Sequence, residues 1–292
     1  MNEFKTYHPM VNFLYFFCVI GFTMFLMHPV SLGISLVSAA SYVFVLKGKK
    51  EALSGIGTAF FMMFLLSVIN PLFNHAGVTV ITYLPSGNPL TAEAFYYGIC
   101  AGTMLAAVLL HFSCYNSVMT SDKFIYLFGK IIPVLSLVLS MTLRFIPNFI
   151  SRLREITEIQ KTLGRDVSQG NLKKRLRCAI KILSILITWS LESTIETADS
   201  MKSRGYGLPG RTAYSIFRFD KRDLMALLWI LCFAATTIFA FGFGVLNYSY
   251  FPSFETEELT VVSLVMHTSY LLLCITPIII ELREDYRWKA IK

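Results

Sequence analysis

Long apolar blocks alternate with short polar ones along this chain. Residues 11–27 and 30–46 are two such blocks, parted by His28-Pro29, where proline stops helix continuation and allows a tight reversal. A third, 52–69, follows Lys47, Lys49 and Lys50 and stops at Asn70-Pro71. A fourth, 94–112, carries Gly98 and Gly102 four apart, a small-residue face on which another helix packs closely. Blocks 224–246 and 259–280 complete the series, each of a length suited to a membrane-spanning helix. Segment 72–91 is rich in Gly, Pro, Thr and Asn, and segment 247–258 holds Glu255, Glu257 and Glu258; neither contains Lys or Arg.

Between residues 143 and 211 the blocks give way to helical periodicity. Phe149, Leu153, Ile156 and Leu163 recur at helical steps, while Arg152, Arg154, Glu155, Glu158 and Lys161 take other faces, with Arg154 and Glu158 spaced to pair. Pro147 is expected to kink or start this helix, and Gly164 with the loop 166–171 to end it. A second stripe follows: Leu172, Leu176, Ala179, Ile180, Leu183, Leu186, Ile187, Leu191, Ile195, Ala198 and Met201. Lys173, Lys174, Arg175, Arg177 and Lys181 open that helix, and Glu192, Glu196 and Asp199 come late. This order opposes the helix dipole, which favours acids first and bases last, and leaves open a solvated face or a surface for lipid or a partner.

With 55% hydrophobic and 15% charged residues, and a mean hydropathy of +0.59, the chain is too apolar for an ordinary soluble domain. Its net charge of +8 lies between apolar runs, where topology signals and anionic lipid account for it, so no nucleic-acid partner is expected. Stretch 124–143 is apolar but carries Lys130 and Pro133. If it does not cross, six spans remain and all 26 basic residues face the cytoplasm or its interface. If it crosses, a seventh span places either 144–222 or the Lys47, Lys49 and Lys50 loop outside. Six spans are therefore expected, with both termini cytoplasmic and 124–143 buried against the bundle or along the inner interface. The fold class follows: an all-α integral membrane protein of the cell membrane, multi-pass, with about six transmembrane helices plus long cytoplasmic or interfacial amphipathic helices. Its parts are 1–123 with four spans, a cytoplasmic region 124–222, and 223–292 with two spans and a basic tail. Block 11–27 leads straight into a second apolar run, and is read as a retained span.

Candidate chemistry is sparse. The six cysteines are scattered without a Cys-x-x-Cys pair, and the five histidines (His8, His28, His75, His111, His267) are isolated, so neither a metal site nor a bound cofactor nor a catalytic residue is expected. No acid or base lies deep within the six spans, which argues against a self-contained secondary transporter or channel, and the missing ligand motifs argue against an integral-membrane enzyme. Gly205-Tyr-Gly-Leu-Pro-Gly210 matches G-x-G-x-x-G in form only, because a dinucleotide fingerprint follows a strand and opens a helix, whereas here a helix precedes it. Those glycines read as a helix end, with Gly205 left-handed and Pro209 blocking continuation. Arg204 then sits at the last turn. There it either complements the dipole, worth about 0.3–1 kcal/mol, or docks onto a partner carboxylate, where a buried arginine is worth about 2 kcal/mol or more.

These residues resemble a known family, the transmembrane T component of energy-coupling factor transporters, related to the cobalt-transport permease subunit. The resemblance rests on Ser203-Arg204-Gly205-Tyr206-Gly207 closing a long helix, on Arg144-Phe-Ile-Pro147, on Asn70-Pro-Leu-Phe73 and on His8-Pro9, and it covers nearly the whole chain. It implies a non-catalytic coupling subunit in which two cytoplasmic helices, each ending in an Ala-Arg-Gly-like triplet, dock onto two ATP-binding cassette subunits. It also implies a third partner, a small substrate-binding membrane protein (the S component) for a vitamin or metal ion. The second triplet is present as Ser203-Arg204-Gly205. The first aligns on Gln160 and Gly164 as Thr162-Leu163-Gly164, with leucine in the arginine's place, so the resemblance implies either that Arg165, one position on, takes the docking role or that this ATPase contact is apolar. Arg144, Pro147, Gly207 and Pro209 are implied as hinge or structural positions.

Overall fold

A computed structural model describes residues 3–83, 88–129, 132–165, 167, 171–206, 208, 217–243, 248–252, 255–256 and 260–291. A 3-10 turn, Glu3–Thr6, leads into α1 (Pro9–Phe25), α2 (Pro29–Lys47), α3 (Lys49–Phe73), α4 (Ala92–Val118), α5 (Ser121–Gly129), α6 (Pro133–Thr162), α7 (Leu172–Ser203), α8 (Lys221–Gly242) and α9 (Val261–Ile291). Strands β1 (Val80–Tyr83) and β2 (Pro89–Thr91) form one antiparallel hairpin, and β3 (Tyr248–Ser249) pairs with β4 (Glu255–Thr256). Among the described residues seven helices, α2, α3, α4, α6, α7, α8 and α9, are long and apolar enough to cross a membrane, and α1 is a shorter apolar helix. The chain is an all-α integral membrane protein. It divides into two compact units, Met1–Phe124 with Phe217–Lys292, and Ile125–Ile216.

The first unit contains all six expected spans, as α1 to α4, α8 and α9. Two of them begin alike. His8 and His28 each precede a proline at the first helical position, and each Nδ1 accepts the amide N–H two residues on, at 3.2 Å. Proline is tolerated there because its missing N–H would have no helical acceptor, and the imidazole satisfies the next donor. Tyr15, Phe16, Tyr42, Leu110, Tyr270 and Leu273 fill the core. One polar network within it crosses four helices. Thr23 on α1 bonds Ser35 on α2 (2.7 Å) and Tyr270 on α9 (3.0 Å), and Ser35 meets His111 Nε2 on α4 (3.1 Å). In apolar surroundings each such pair avoids the larger penalty of an unsatisfied group.

Gly98 and Gly102 lie where α4 meets α3. A Cβ at Gly102 would stand 2.6 Å from the Met63 carbonyl oxygen, and one at Gly98 would stand 3.2 Å from that of Ser67. The small-residue face is thus a backbone-to-backbone contact. Helix α3 runs past Asn70-Pro71 to Phe73, so the expected stop is a last-turn proline inside the helix. Segment 72–91 holds the β1–β2 hairpin, whose Val80 to Tyr83 are β-branched or aromatic.

The chain start is strapped to this unit by carboxylates that read only backbone. Glu281 accepts the amides of Glu3 (3.0 Å) and Phe4 (3.2 Å), and Asp223 accepts those of His8 and Asp220 (3.0 Å each). Lys123 Nζ donates to the Lys5 carbonyl at 2.5 Å. Asp223 is 2% exposed, so Asp223→Ala, which orphans two amides, is expected to cost about 1–3 kcal/mol. Thermal melting in detergent should show this as a lowered midpoint with earlier proteolysis of residues 3–8, and Asp223→Asn, which keeps one acceptor, should lie between. An unchanged midpoint in the alanine variant would count against the strap.

At the opposite end of the unit, the Tyr250 hydroxyl donates to the Met27 carbonyl, the rings of Tyr248 and His28 lie 5.7 Å apart, and those of Tyr96 and Tyr250 lie 6.1 Å apart. The His28-Pro29 turn and segment 247–258, neither of which contains Lys or Arg, therefore meet beside the first turns of α4.

In the second unit the helix break falls at Pro133, not Pro147. Pro133 takes the first position of α6, and Pro147 lies within one helix that continues to Thr162. The reason is local: at a helix start proline's missing N–H carries no penalty, whereas the Pro147 site forfeits a single bond in a helix held on both sides. Stretch 124–143 is thus shared between α5 and α6, and its Val134, Leu135 and Val138 are exposed, not buried. The expected pair of Arg154 with Glu158 is replaced by Arg152 with Glu155 at 2.7 Å, an exposed pair of little energetic weight.

Candidate functional site

Helices α6 and α7 form an antiparallel hairpin. Phe149 meets Trp189 edge-on at 5.7 Å, and Arg152 lies over the same indole at 5.2 Å. Beyond this point the buried residues are Ile156 and Gln160 on α6, and Ile182 and Cys178 on α7. Steps of seven and then four lead away from Phe149 along α6, and the same steps lead back from Trp189 along α7, the register of two antiparallel helices joined by a short connection. Asn171 opens α7, its side chain accepting from Leu172 N at 2.8 Å, and Arg175 Nε returns to the Val167 carbonyl at 2.7 Å.

On α6 the stripe supplies the contact through Phe149 and Ile156, whereas most of the α7 stripe lies on another face, with Ala179, Leu186 and Met201 half-buried. Leu172, Leu176, Ile180, Leu183, Ile187, Leu191 and Ile195 are each at least half exposed, as is Leu163 at 63%, while the contact uses Cys178, Ile182 and Trp189. Pattern alone marked the apolar face of α7 but not the face that meets α6, because a cysteine and an aromatic carry that seam.

Both helices end in the same geometry. On α6, Thr162 Oγ1 donates to the carbonyl three residues back (2.7 Å), Leu163 is the cap, and Gly164 is left-handed at φ 71°. Gly164 N then bonds Lys161 O at 3.0 Å and Arg165 N bonds Gln160 O at 2.9 Å. On α7, Ser203 Oγ donates to the carbonyl three residues back (2.8 Å), Arg204 is the cap, and Gly205 is left-handed at φ 77°. Gly205 N bonds Lys202 O at 2.9 Å and Tyr206 N bonds Met201 O at 3.0 Å. These paired bonds define the Schellman termination, which requires a residue at positive φ and so favours glycine. Leu163 therefore occupies the place equivalent to Arg204, and Arg165 matches Tyr206. In the hairpin register each cap lies about 15 residues, roughly 22 Å at 1.5 Å per residue, from the Phe149–Trp189 contact, toward opposite ends.

Arg204 is exposed, and among the described residues its guanidinium makes no ion pair. Arg144 and Pro147 are exposed positions inside α6, apart from either cap. Gly207 and Pro209 lie outside the described residues. The residues that pattern reading missed are Trp189, Arg152 and Gln160, which fix the hairpin; an aromatic inside a polar helix was the available signal for the first.

A six-helix membrane unit together with a long amphipathic hairpin that ends in two matched caps defines a polytopic membrane component with a second, separately packed helical body. No family model matches the chain. It is 32% identical over 192 residues to the energy-coupling factor transporter transmembrane protein EcfT of Bacillus selenitireducens, covering 61% of this chain and 70% of that protein. The EcfT proteins of Lactobacillus helveticus and Lactococcus lactis subsp. cremoris are 37% and 38% identical over 98 residues, 33% of this chain in each case; these matches span 35% and 37% of those proteins. The chain belongs to the energy-coupling factor transporter transmembrane protein family, the T components of these transporters.

Proposed function

We propose that the chain is the non-catalytic coupling subunit of an importer driven by two ATP-binding cassette ATPases, and that it moves a separate small membrane protein that binds a vitamin or metal ion. The observation that carries this reading is the repetition of one Schellman end at both hairpin termini, each presenting a side chain, Leu163 or Arg204, beyond its helix. Ser203-Arg204-Gly205 and Thr162-Leu163-Gly164 are the ATPase-docking triplets in this reading. The exposed stripe of α7 receives the small membrane partner, since an apolar face of that length requires lipid or protein against it. A rigid hairpin transmits a displacement at its ends to whatever lies along its face.

In the same reading residues 1–123 and 223–292 form the membrane part of the cell-membrane protein, 124–222 is the cytoplasmic coupling region, and both termini are cytoplasmic. The charged positions spread along α6 and α7 support an interfacial placement for both, despite a length and hydropathy that permit spanning. Copurification tests the assignment: the tagged chain should bring down two ATPases and one small membrane protein. Recovery of the chain alone, with uptake driven by protons or sodium, would overturn it. Within the complex, Leu163→Asp is expected to weaken ATPase recovery, and Leu163→Arg to retain it. Arg165→Ala should have little effect, because Arg165 occupies the position of Tyr206; a loss equal to that of Leu163→Asp would transfer the docking role to Arg165.

A further inference from the structure

A cleft of about 700 Å³ opens between α8, α9 and the chain start. Its two walls are single helix faces: Arg222, Met225, Ala226 and Trp229 on α8, and Thr276, Ile279, Ile280 and Arg283 on α9. Both sets follow steps of three, four and seven residues, the spacing of one helical face. Because both arginines sit at the same end, the cleft has a cationic mouth and an apolar floor that extends about 10 Å, or seven residues, along each helix. Tyr7 closes one side, its ring 4.7 Å beneath the Arg222 guanidinium. Burial raises the phenol's pKa against the opposing pull of Arg222, so it stays neutral. Arg287 also lines the mouth but is paired with Glu284 at 2.9 Å, whereas among the described residues Arg222 and Arg283 make no ion pair.

We propose that this cleft binds an anionic phospholipid, its phosphate between Arg222 and Arg283 and its upper acyl carbons against Met225, Trp229 and Ile279. The polarity of the cleft follows that of such a molecule, with charge at the helix ends and hydrocarbon toward the middle of the bundle. The volume falls within the range of small-molecule sites. The lining carries three arginines against one glutamate, a surplus that a zwitterionic headgroup leaves uncompensated and an anionic one neutralises. This inference rests on the membrane fold alone and stands whether or not the hairpin docks onto ATPases.

Trp229 supplies the readout. The full chain, with Trp189 and Trp288 changed to Phe, is reconstituted in phosphatidylcholine vesicles holding a minor fraction of either brominated phosphatidylglycerol or brominated phosphatidylcholine. As its mole fraction is raised, phosphatidylglycerol should half-quench Trp229 at a severalfold lower fraction than phosphatidylcholine, by about fivefold for each guanidinium. The preference should disappear in R222Q/R283Q. Single variants R222Q and R283Q should retain an intermediate preference, and they carry the test if the double variant does not fold. Equal quenching by both lipids in the unmodified chain, or an undiminished preference in the variants, overturns the proposal. Soluble glycerol phosphate should leave the quenching unchanged; if it abolishes the preference, the site takes free phosphate and the lipid assignment fails.

Discussion

Arg204→Glu is expected to release the ATPases from the purified complex, with recovery falling roughly thirtyfold if the docked arginine is worth about 2 kcal/mol or more. The size of the effect comes from what the substitution places at the interface. In the proposed docking, where the partner offers an acidic pocket to the guanidinium, the substitution sets a carboxylate against that pocket, so attraction is lost and like-charge repulsion is gained. Arg204→Lys keeps the charge but loses the planar fork, and should fall between. Folding is not expected to change, because the cap is held by the Gly205 and Tyr206 amides and the Ser203 hydroxyl, none of which belongs to the arginine side chain. The measurement is ATPase recovered per tagged chain, with the thermal midpoint of the isolated chain as a control. Full recovery together with normal uptake would remove Arg204 from the docking role.

Gly102→Leu is expected to separate α3 from α4 and lower the thermal midpoint more than any surface change. Even an alanine Cβ would lie 2.6 Å from the Met63 carbonyl oxygen, a backbone atom that no side-chain rotation can clear. Overpacking of this kind costs about 1–3 kcal/mol, and a branched side chain takes the upper part of that range. For a chain of this size the midpoint should fall by about 5–10 °C. Gly21→Ala is the matched control, since a Cβ there meets nothing within 4 Å. Fluorescence-detected size exclusion after heating compares the two, and equal midpoints would mean that the α3–α4 contact is looser than its geometry indicates.

Block length made six of the helices readable from sequence, and the glycine pair pointed to a close contact between two of them. Other features were not readable, for definite physical reasons. Pro133 and Pro147 are chemically identical, so residue type alone does not say which one starts a helix and which lies within one. The face of α7 that meets α6 is carried by Cys178, Ile182 and Trp189, weaker in pattern than the leucine stripe beside it. Asp223 and Glu281 bind backbone amides, so nothing about their partners shows in the residues they hold. The place of Leu163 opposite Arg204 was legible only through the family resemblance, which left Arg165 as the alternative. The bonds that make the match were not.

Since both hairpin termini are closed by main-chain bonds and a glycine, the side chain at each cap contributes nothing to the shape that carries it. The molecule thus offers two sockets of one form whose fittings differ, one greasy and one cationic. If the caps dock as proposed, two dissimilar partners are told apart by a single residue at each end, and swapping Leu163 and Arg204 would exchange their places without redesigning either helix.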